Sequence, residues 1–505
     1  MAIDLEARTG EHTGRTNRKI WALVVIAVAQ LMIVLDTSVI IVALPSAQRA
    51  LHISTLDRQW VLSGYTLVFG TLLLLGGRLA DYLGRRRMLQ IGLLGFAAAS
   101  ALGGLAQTSS MLFGARALQG AFAALMAPAS LSLLTVTFTE ARERARAFGV
   151  YSAVAGGGIA IGLVLGGTLT DLASWRWTLL INVPIALVAA VAVRRVLPES
   201  RVESRGSYDL RGAALVTAGM FLLVYGFTTA GTDGWSSKVT VGLLAGAVVA
   251  LVAFVATELT ATHPLLPLRV VLDRHRAGAF LTSFFVGIAM LGTFLFLTYF
   301  LQATQHYSAL KTGFAFLPMS GGIVFGAAVA SQLLPRVGPR NLMLAGLALT
   351  TGGLLLFTRL AVASTFVSGV LPAEIVTSLG MALTFVPMSS TALLGVDEAD
   401  AGVASALVNA TQQVGGSLGI ALLNTVASSV AAGYMALHAR GLGAAAASRL
   451  IPVATVHGYT RAFEVSAVMI VIAFVLTAAL LRGTPREAQM EPVARLANEA
   501  TSEAA

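Results

Sequence analysis

The segment Gly77-Arg78-Leu79-Ala80-Asp81-Tyr82-Leu83-Gly84-Arg85-Arg86-Arg87 is strongly charged and lies between two uncharged apolar runs, 61–76 and 88–106. A connection this short makes the two runs antiparallel neighbours. Lys and Arg in short loops stay on the cytoplasmic side of a membrane, so the four arginines predict a cytoplasmic turn. Gly77 and Gly84 permit backbone turns that a side chain would resist.

A degraded copy of this segment lies at residues 331–340, which is 254 positions further along the chain. Asp81 is replaced there by Pro335, so the aspartate is present in one copy only. A chain built from two related halves is typical of secondary transporters. A basic turn can also be no more than a signal that orients the chain in the membrane, and the repeat favours a functional role instead. The matched pairs are Leu79 with Leu333, Gly84 with Gly338, and Arg86 with Arg340.

The composition identifies the broad class of the protein. Of 505 residues, 56% are apolar and 11% are charged, whereas about 25% of the residues of soluble domains are charged. The chain is therefore predicted to be a polytopic membrane protein. Because it has no Cys, it has no disulfide framework and no thiolate nucleophile or metal site. Its seven His are scattered over loops and tails, so we predict no metal site and no cofactor.

The positions of the charges explain the net charge of +10 without nucleic acid. With a cytoplasmic N-terminus, the predicted inner loops and tails hold 24 basic residues and the outer loops hold nine. This asymmetry is the one that orients membrane proteins. Arg outnumbers Lys by 31 to 3, which is a hint of a high-GC bacterial genome.

With roughly 20 apolar residues for each membrane crossing, the chain is predicted to be an all-α protein of fourteen spans. Both termini are then cytoplasmic. The spans are 20–44, 58–76, 88–106, 111–136, 147–170, 176–193, 210–230, 239–258, 277–301, 311–333, 341–360, 366–390, 402–430 and 462–481.

The spans group into two six-helix bundles with two inserted helices between them. The predicted parts are a tail (1–19), the first bundle (20–193), a linker (194–208), inserted helices 7 and 8 (209–260), the second bundle (277–481, with an extracellular loop at 431–461) and a tail (482–505).

Three ionisable residues lie within predicted spans: Asp36, Arg116 and Glu374. Such residues are costly in a bilayer and are functional candidates. From the rise of a helix, Asp36 and Arg116 both lie about 8–14 Å below the outer surface, so they can meet. Two interpretations are open. The pair holds two helices together permanently, or the carboxylate alternates between protonation and pairing, since burial favours the neutral acid and a nearby arginine favours the ion.

Glu374 lies in the outer half of the twelfth span. At the 254-residue offset of the repeat it corresponds to Gly120, which is one helical turn from Arg116. It is predicted to be a second proton carrier or the recognition site for a cationic substrate. Pairing with an outer-loop arginine such as Arg359 is the structural alternative.

Two further spans carry patterns that predict close helix packing in one case and a water-filled cavity in the other. Glycines spaced by four in the fifth span allow a neighbouring backbone to approach closely. A polar stripe in the thirteenth span is predicted to line a cavity for substrate, with hydrogen bonding between helices as the alternative. The glycines are Gly158, Gly162, Gly166 and the adjoining Gly167, and the cavity candidates are Asn409, Gln412, Gln413 and, in the fourth span, Gln119.

Several motifs resemble those of the major facilitator superfamily, and in particular its fourteen-span drug:proton antiporters. The segment 77–87 resembles its cytoplasmic signature turn, 116–120 its fourth-span motif, and 158–167 the fifth-span motif of its antiporters. Segments 35–45 and 175–184 are similar to the fourteen-span branch.

The resemblance implies a proton-driven exporter of lipophilic drugs, dyes or antibiotics in the bacterial cytoplasmic membrane. Its substrate would be cationic or neutral, its energy source the proton gradient, and its working form a monomer. Asp36 and Arg116 would be the coupling residues, and Asp81 with its neighbouring arginines a cytoplasmic gate. The gate residues are Gly77, Arg78, Asp81, Gly84, Arg85 and Arg86.

Other functions are also considered. A dedicated exporter or importer of an endogenous metabolite would carry the same motifs. A polytopic membrane enzyme would require a catalytic cluster, and a receptor would require a soluble output domain. The sequence shows neither, because no span carries paired acids or a pair of His residues, and the longest loops are only 194–208 and 431–461.

Overall fold

The computed structural model describes residues 2–201, 209–261, 264, 266, 268–396 and 401–481. Within them every regular element is a helix, so the predicted all-α class is confirmed. The helices are α1 (Ala2–Ala50), α2 (Trp60–Leu83), α3 (Arg85–Gly104), α4 (Ser109–Thr137), α5 (Ala141–Leu172), α6 (Trp177–Leu180), α7 (Asn182–Val196), α8 (Leu210–Asp233), α9 (Lys238–Thr260), α10 (Leu268–Val271), α11 (Arg274–Tyr299), α12 (Ala309–Ala315), α13 (Leu317–Val337), α14 (Pro339–Phe357), α15 (Leu371–Ala392), α16 (Ala401–His438) and α17 (Ala444–Leu480).

Twelve helical segments in the described part of the chain are long and apolar enough to cross a membrane. They coincide with twelve of the fourteen predicted spans. The other two predicted spans lie on α3, which begins with three arginines, and on α5, whose apolar part is the shorter Gly157–Leu172. The count of fourteen and the cytoplasmic position of the termini stay predictions.

The chain forms two compact units. The first contains Met1–Phe221, Ala250–Leu265 and His306–Phe314, and the second contains Leu222–Val249, Leu266–Gln305 and Ala315–Ala505. The predicted pair of inserted helices, 209–260, is not a separate body in this division, because α8 and α9 each contribute one part to either unit.

The two units pair their helices in the same way. In the first unit α1 packs on α5, α2 and α3 pack on α4, and α3 also packs on α7. In the second unit α11 packs on α16, α13 and α14 pack on α15, and α14 also packs on α17. The repeated helix order therefore produces a repeated arrangement of neighbours.

The repeat is also visible in the backbone of the two charged turns. Gly84, between α2 and α3, has φ 107°, and Gly338, between α13 and α14, has φ 80°. Both conformations are rare for residues with a side chain, which explains why glycine occurs at both positions. The equivalent hydrogen bonds are Gly84 N to Ala80 O (3.2 Å) and Gly338 N to Leu334 O (3.0 Å), and Met88 N to Gly84 O (2.9 Å) and Leu342 N to Gly338 O (3.3 Å).

The turn is shorter than the sequence predicted. Helix α2 continues to Leu83, so Gly77 lies inside a helix and the expected turn at that residue is wrong. A Cβ atom on Gly77 would lie 3.6 Å from the Cβ of Pro128, which is an ordinary contact. Gly77 therefore lies where α2 packs on α4, and Gly84 alone makes the turn.

Two segments predicted to lie outside the membrane spans are helical. Helix α16 extends to His438 and α17 begins at Ala444, so only 439–443 connects them where a loop over 431–461 was expected. This stretch is rich in Ala, which has the highest helix propensity. Helix α1 begins at Ala2, within the predicted tail. The predicted tail 482–505 and linker residues 202–208 lie outside the described residues.

Candidate functional site

Asp36 on α1 and Arg116 on α4 meet in the interior of the first unit. Arg116 Nη1 lies 2.5 Å from Asp36 Oδ2, and neither side chain is exposed to solvent. A buried ion pair gives up the hydration of both charges, so it persists only with further hydrogen bonds around it.

The other oxygen of the same carboxylate accepts two more hydrogen bonds. Gln119 Nε2 donates to Asp36 Oδ1 at 2.8 Å, and Asn182 Nδ2 donates to the same oxygen at 2.9 Å. An ionised carboxylate is an acceptor only, and all three partners are donors. The arrangement therefore matches the deprotonated form of Asp36.

The partners of Asp36 are themselves held in place. Gln119 Oε1 accepts from Arg116 Nη1, and Gln119 Nε2 donates to Ser100 Oγ, both at 2.8 Å. Arg116 Nε donates to the carbonyl of Val61 at 2.8 Å, and the guanidinium carbon lies 4.6 Å from the ring centre of Tyr65. Helices α1, α2, α3, α4 and α7 thus converge on one buried carboxylate, which we call the Asp36 cluster: Asp36, Tyr65, Ser100, Arg116, Gln119 and Asn182.

Glu374 has the opposite environment. It lies in the first turn of α15, its residue is 0% exposed, and neither carboxyl oxygen has a hydrogen-bond partner among the described residues. Arg359, its suggested partner, lies exposed in the turn after α14. Because a buried charge without a partner is very costly, the neutral acid is the form that suits this position.

The charged turn after α2 is held by acids from two segments. Asp81, near the end of α2, pairs with Arg85, the first residue of α3, at 2.8 Å, and Arg78 Nη2 donates to the carbonyl of Pro264 at 3.2 Å. Glu199, in the segment after α7, accepts from the backbone N–H of Arg86 at 3.1 Å. This carboxylate lies at the N-terminus of α3, where the helix dipole favours negative charge.

The glycines of α5 bring it into close contact with α1. A Cβ on Gly158 would lie 3.0 Å from Val34 Cγ1, one on Gly162 would lie 1.9 Å from Ser38 Oγ, and one on Gly166 would lie 2.6 Å from the carbonyl oxygen of Val39. Any side chain at Gly162 or Gly166 would push the two helices apart.

Gly167 faces a different neighbour. A Cβ there would lie 2.5 Å from the carbonyl oxygen of Ala309. One turn further along α5, Asp171 accepts from the backbone N–H groups of Ala309 and Leu310 at 3.1 and 2.9 Å. The end of α5 therefore holds the start of α12.

A sequence model of the Major Facilitator Superfamily matches residues 26–420. The chain belongs to this superfamily. It is similar to the puromycin resistance protein pur8 of Streptomyces alboniger, with 46% identity over 472 residues covering 93% of this chain and 92% of the relative. It is also similar to the cephamycin export protein CmcT of Amycolatopsis lactamdurans, with 39% identity covering 85% and 88% of the two chains.

Solved structures show the same superfamily fold. A bacterial homolog of the human lysosomal transporter Spinster has a TM-score of 0.64 and 16% identity, and the match covers 93% of this chain and 99% of that one. At that identity the likeness shows the fold alone. Family and fold together make the protein a multi-pass membrane transporter of bacterial type, not an enzyme.

The predicted cavity residues of this superfamily member lie in two kinds of surroundings. Asn409 is exposed, with its amide on the carbonyl of Ser405 one turn back at 3.2 Å, and Gln412 and Gln413 are half-buried. Gln119, in contrast, is 0% exposed and belongs to the Asp36 cluster. The cavity role of all four stays a prediction, and Gln119 does not line an open surface in this structure.

Sequence reasoning missed three polar residues at these sites. Asn182 lies in the segment 175–184, for which the sequence indicated no role. Ser100 is an isolated hydroxyl in an apolar span, and Glu199 follows the sixth predicted span in Pro198-Glu199-Ser200. The signal for Asn182 was available, because an amide within an apolar span needs a polar partner.

Proposed function

We propose that the protein exports a small antibiotic or a related lipophilic compound across the bacterial cytoplasmic membrane in exchange for protons. Two relatives that match most of their length support the substrate class, since one is named for puromycin resistance and the other for cephamycin export. In this proposal the protein works as a monomer that opens its substrate site alternately to each side of the membrane.

The observation that carries proton exchange is the buried carboxylate of Asp36 with its partner Arg116. With the arginine in contact, the ionised carboxylate is stabilised; with the arginine withdrawn, the same buried group favours the neutral acid. Any conformational change that alters their separation therefore changes the proton affinity of Asp36. Coupling follows if the substrate favours one of the two conformations.

The charged turn after α2 is proposed as the cytoplasmic gate. Arg78 donates a hydrogen bond to the backbone carbonyl of Pro264, and Glu199 accepts one from the backbone N–H of Arg86. Contacts of this kind are exposed enough to break and re-form during a transport cycle. Asp81 would hold Arg85 in the orientation that the closed gate requires.

Glu374 is proposed to carry a second proton. If Asp36 alone exchanges one proton for one monovalent cation, no net charge moves and only the pH gradient drives export, at about 1.4 kcal/mol per pH unit. A second proton on Glu374 would add the membrane potential, worth about 2.3 kcal/mol for each charge moved through 100 mV.

The test uses purified protein in liposomes that contain a pH-sensitive dye. An imposed pH gradient is followed while puromycin, lipophilic cations and neutral antibiotics are added in turn, with wild type and Asp36→Asn compared at equal amounts of folded protein. We expect substrate-triggered proton flux in wild type and none in Asp36→Asn. Flux that persists in Asp36→Asn would contradict the coupling role.

The same panel separates two kinds of transporter. Relatives named for single antibiotics favour a dedicated exporter over a broad drug pump. Flux with one structural class of compound supports the dedicated exporter, whereas flux with many unrelated lipophilic compounds supports the multidrug pump.

A further inference from the structure

We infer that Asn182 is a positioning residue for proton exchange: its amide holds Asp36 in the ionised form and sets the pH at which that carboxyl takes up its proton. The inference rests on the proposed coupling role of Asp36. It assigns a function to the motif at 175–184, whose contribution the sequence did not reveal.

The fold brings Asn182 to the carboxylate from within the sixth predicted span. Helix α6 ends at Leu180 and α7 begins at Asn182, but Ile181 between them keeps a helical backbone with φ −59° and ψ −28°, so Trp177–Val196 forms one span. Asn182 is 1% exposed, and its amide reaches across to α1. A polar side chain within a membrane span, 146 positions from Asp36 in sequence, is thereby buried against the coupling carboxyl.

The hydrogen-bond pattern favours the ionised form of Asp36. Oδ1 receives N–H groups from Gln119 and Asn182, and Oδ2 receives one from Arg116. A carboxylate has about four lone-pair sites, so donors fill both sites of Oδ1 and one site of Oδ2. A proton on Oδ1 therefore requires one of its two donors to move away, and a proton on Oδ2 weakens every charge-assisted bond to the carboxylate.

Asn182 is the partner that can yield most readily. Arg116 is bound to Asp36 by charge, and Gln119 is fixed by bonds to Arg116 and Ser100 as well as to Asp36. In the described part of the chain, the side chain of Asn182 makes its hydrogen bond to Asp36 alone. Proton uptake would then displace the first turn of α7 from α1.

Few other charges influence this carboxyl. Arg116 on α4 and Tyr65 on α2 are the charged and titratable groups that face it among the described residues, and α3 and α7 contribute Ser100 and Asn182, which are uncharged. Among the described side chains, Arg18 and Lys19 lie 18 and 17 residues before Asp36 on α1, the charged residues of α2, α5 and α7 lie near the helix ends, and α3 and α6 contribute none within the cluster. A shift in the titration of Asp36 is therefore attributable to its immediate donors.

The experiment titrates Asp36 directly by infrared spectroscopy of the full-length protein in lipid nanodiscs. The absorbance of protonated carboxyl groups is followed against pH, and the part due to Asp36 is the part missing in Asp36→Asn. This measurement needs no substrate. The test variant is Asn182→Leu, which has a similar shape without the N–H, and the second variant is Asn182→Ser, whose short side chain cannot reach the carboxylate.

We expect both variants to protonate Asp36 at a pH about one unit higher than wild type, because a donor to the charged form has been lost. The matched control is Thr178→Val, which changes a buried neighbour on α6 whose hydroxyl bonds only to the local carbonyl of Trp175. A merely structural role of Asn182 would lower yield or stability without moving the midpoint, as Thr178→Val could.

The outcomes are distinct. If Asn182→Leu and Asn182→Ser both titrate at the wild-type midpoint, the inference is wrong. If Asn182→Leu does not fold, the midpoint of Asn182→Ser decides. If substrate-triggered proton flux continues in Asp36→Asn, the proposed function fails instead, whatever the Asn182 variants show.

Discussion

Arg86 in the first unit and Arg340 in the second lie 254 positions apart and make the same contact. Arg86 Nη1 donates to the carbonyl of Leu197, the residue after α7, at 3.4 Å, and Arg340 Nε donates to the carbonyl of Leu481, the residue after α17, at 2.6 Å. The last helix of each bundle thus has a cation at its C-terminus, where the helix dipole favours positive charge.

The acids around these arginines are not shared. Asp81 and Glu199 surround the first turn, whereas the position equivalent to Asp81 is Pro335. Contacts that both units keep are those that build the fold, and charges that only one unit carries are the candidates for gating and coupling.

The membrane spans also carry charges that are present in one unit only. Arg116 corresponds to Val370 and Glu374 to Gly120 at the 254-residue offset, so the two units place opposite charges near equivalent sites. The first carries three donors around its acid, and the second leaves its acid without a partner among the described residues. We read this as one carboxyl held ionised and one held neutral.

The largest predicted effect on stability comes from breaking the ion pair between Asp36 and Arg116. Arg116→Met leaves Asp36 as a buried unpaired charge and should lower the free energy of unfolding by about 3–5 kcal/mol. The double variant Asp36→Leu/Arg116→Met removes both charges and should recover most of that loss but restore no proton exchange. Thermal unfolding of the purified variants measures the first effect, and liposome flux the second.

A double variant as unstable as Arg116→Met would show that the cost is one of packing rather than of an uncompensated charge. The comparison between the two carboxyl groups would then lose its electrostatic basis.

The shared arginines should have a smaller effect that is similar in both units. Arg86→Ala and Arg340→Ala each remove a charged donor from a helix C-terminus and should each cost about 1 kcal/mol of stability. Asp81→Asn should leave the unfolding temperature nearly unchanged but slow transport, because its pairing with Arg85 is confined to the turn.

These three variants test the division between fold and gate. A large loss of stability for Arg86→Ala alone, or for Asp81→Asn, would place the first turn in the structural class and remove it from the gate.

Glu374→Gln should also have a small effect on stability, less than about 1 kcal/mol, because the amide replaces a neutral acid that has no hydrogen-bond partner among the described residues. Its effect should appear in the energetics of transport: with a monovalent cation as substrate, export should still respond to a pH gradient but lose its dependence on membrane potential. Liposomes with a potassium diffusion potential at equal internal and external pH measure that dependence. Unchanged potential dependence would remove Glu374 from proton coupling.

The sequence predicted much of this architecture. Helical class, the repeat and the nearness of Asp36 to Arg116 follow from composition, spacing and depth in the membrane, which are local properties of the chain. The sequence predicted the ends of the helices less well. The expected turn at Gly77 is helical because α2 packs there on Pro128, and 431–461 is largely helical because an Ala-rich segment needs no apolar face to favour a helix.

Charge, apolar length and repetition by themselves determined that the chain crosses the membrane many times in two related halves, because the cost of placing a charge in lipid acts on each segment separately. Beyond the pair of Asp36 and Arg116, only the tertiary structure decided which polar groups meet. Asn182 reaches Asp36 across 146 positions, and Glu374 is sealed among helices without a hydrogen-bond partner in the described residues. Such contacts depend on how each helix is rotated against its neighbours, and packing between helices sets that rotation.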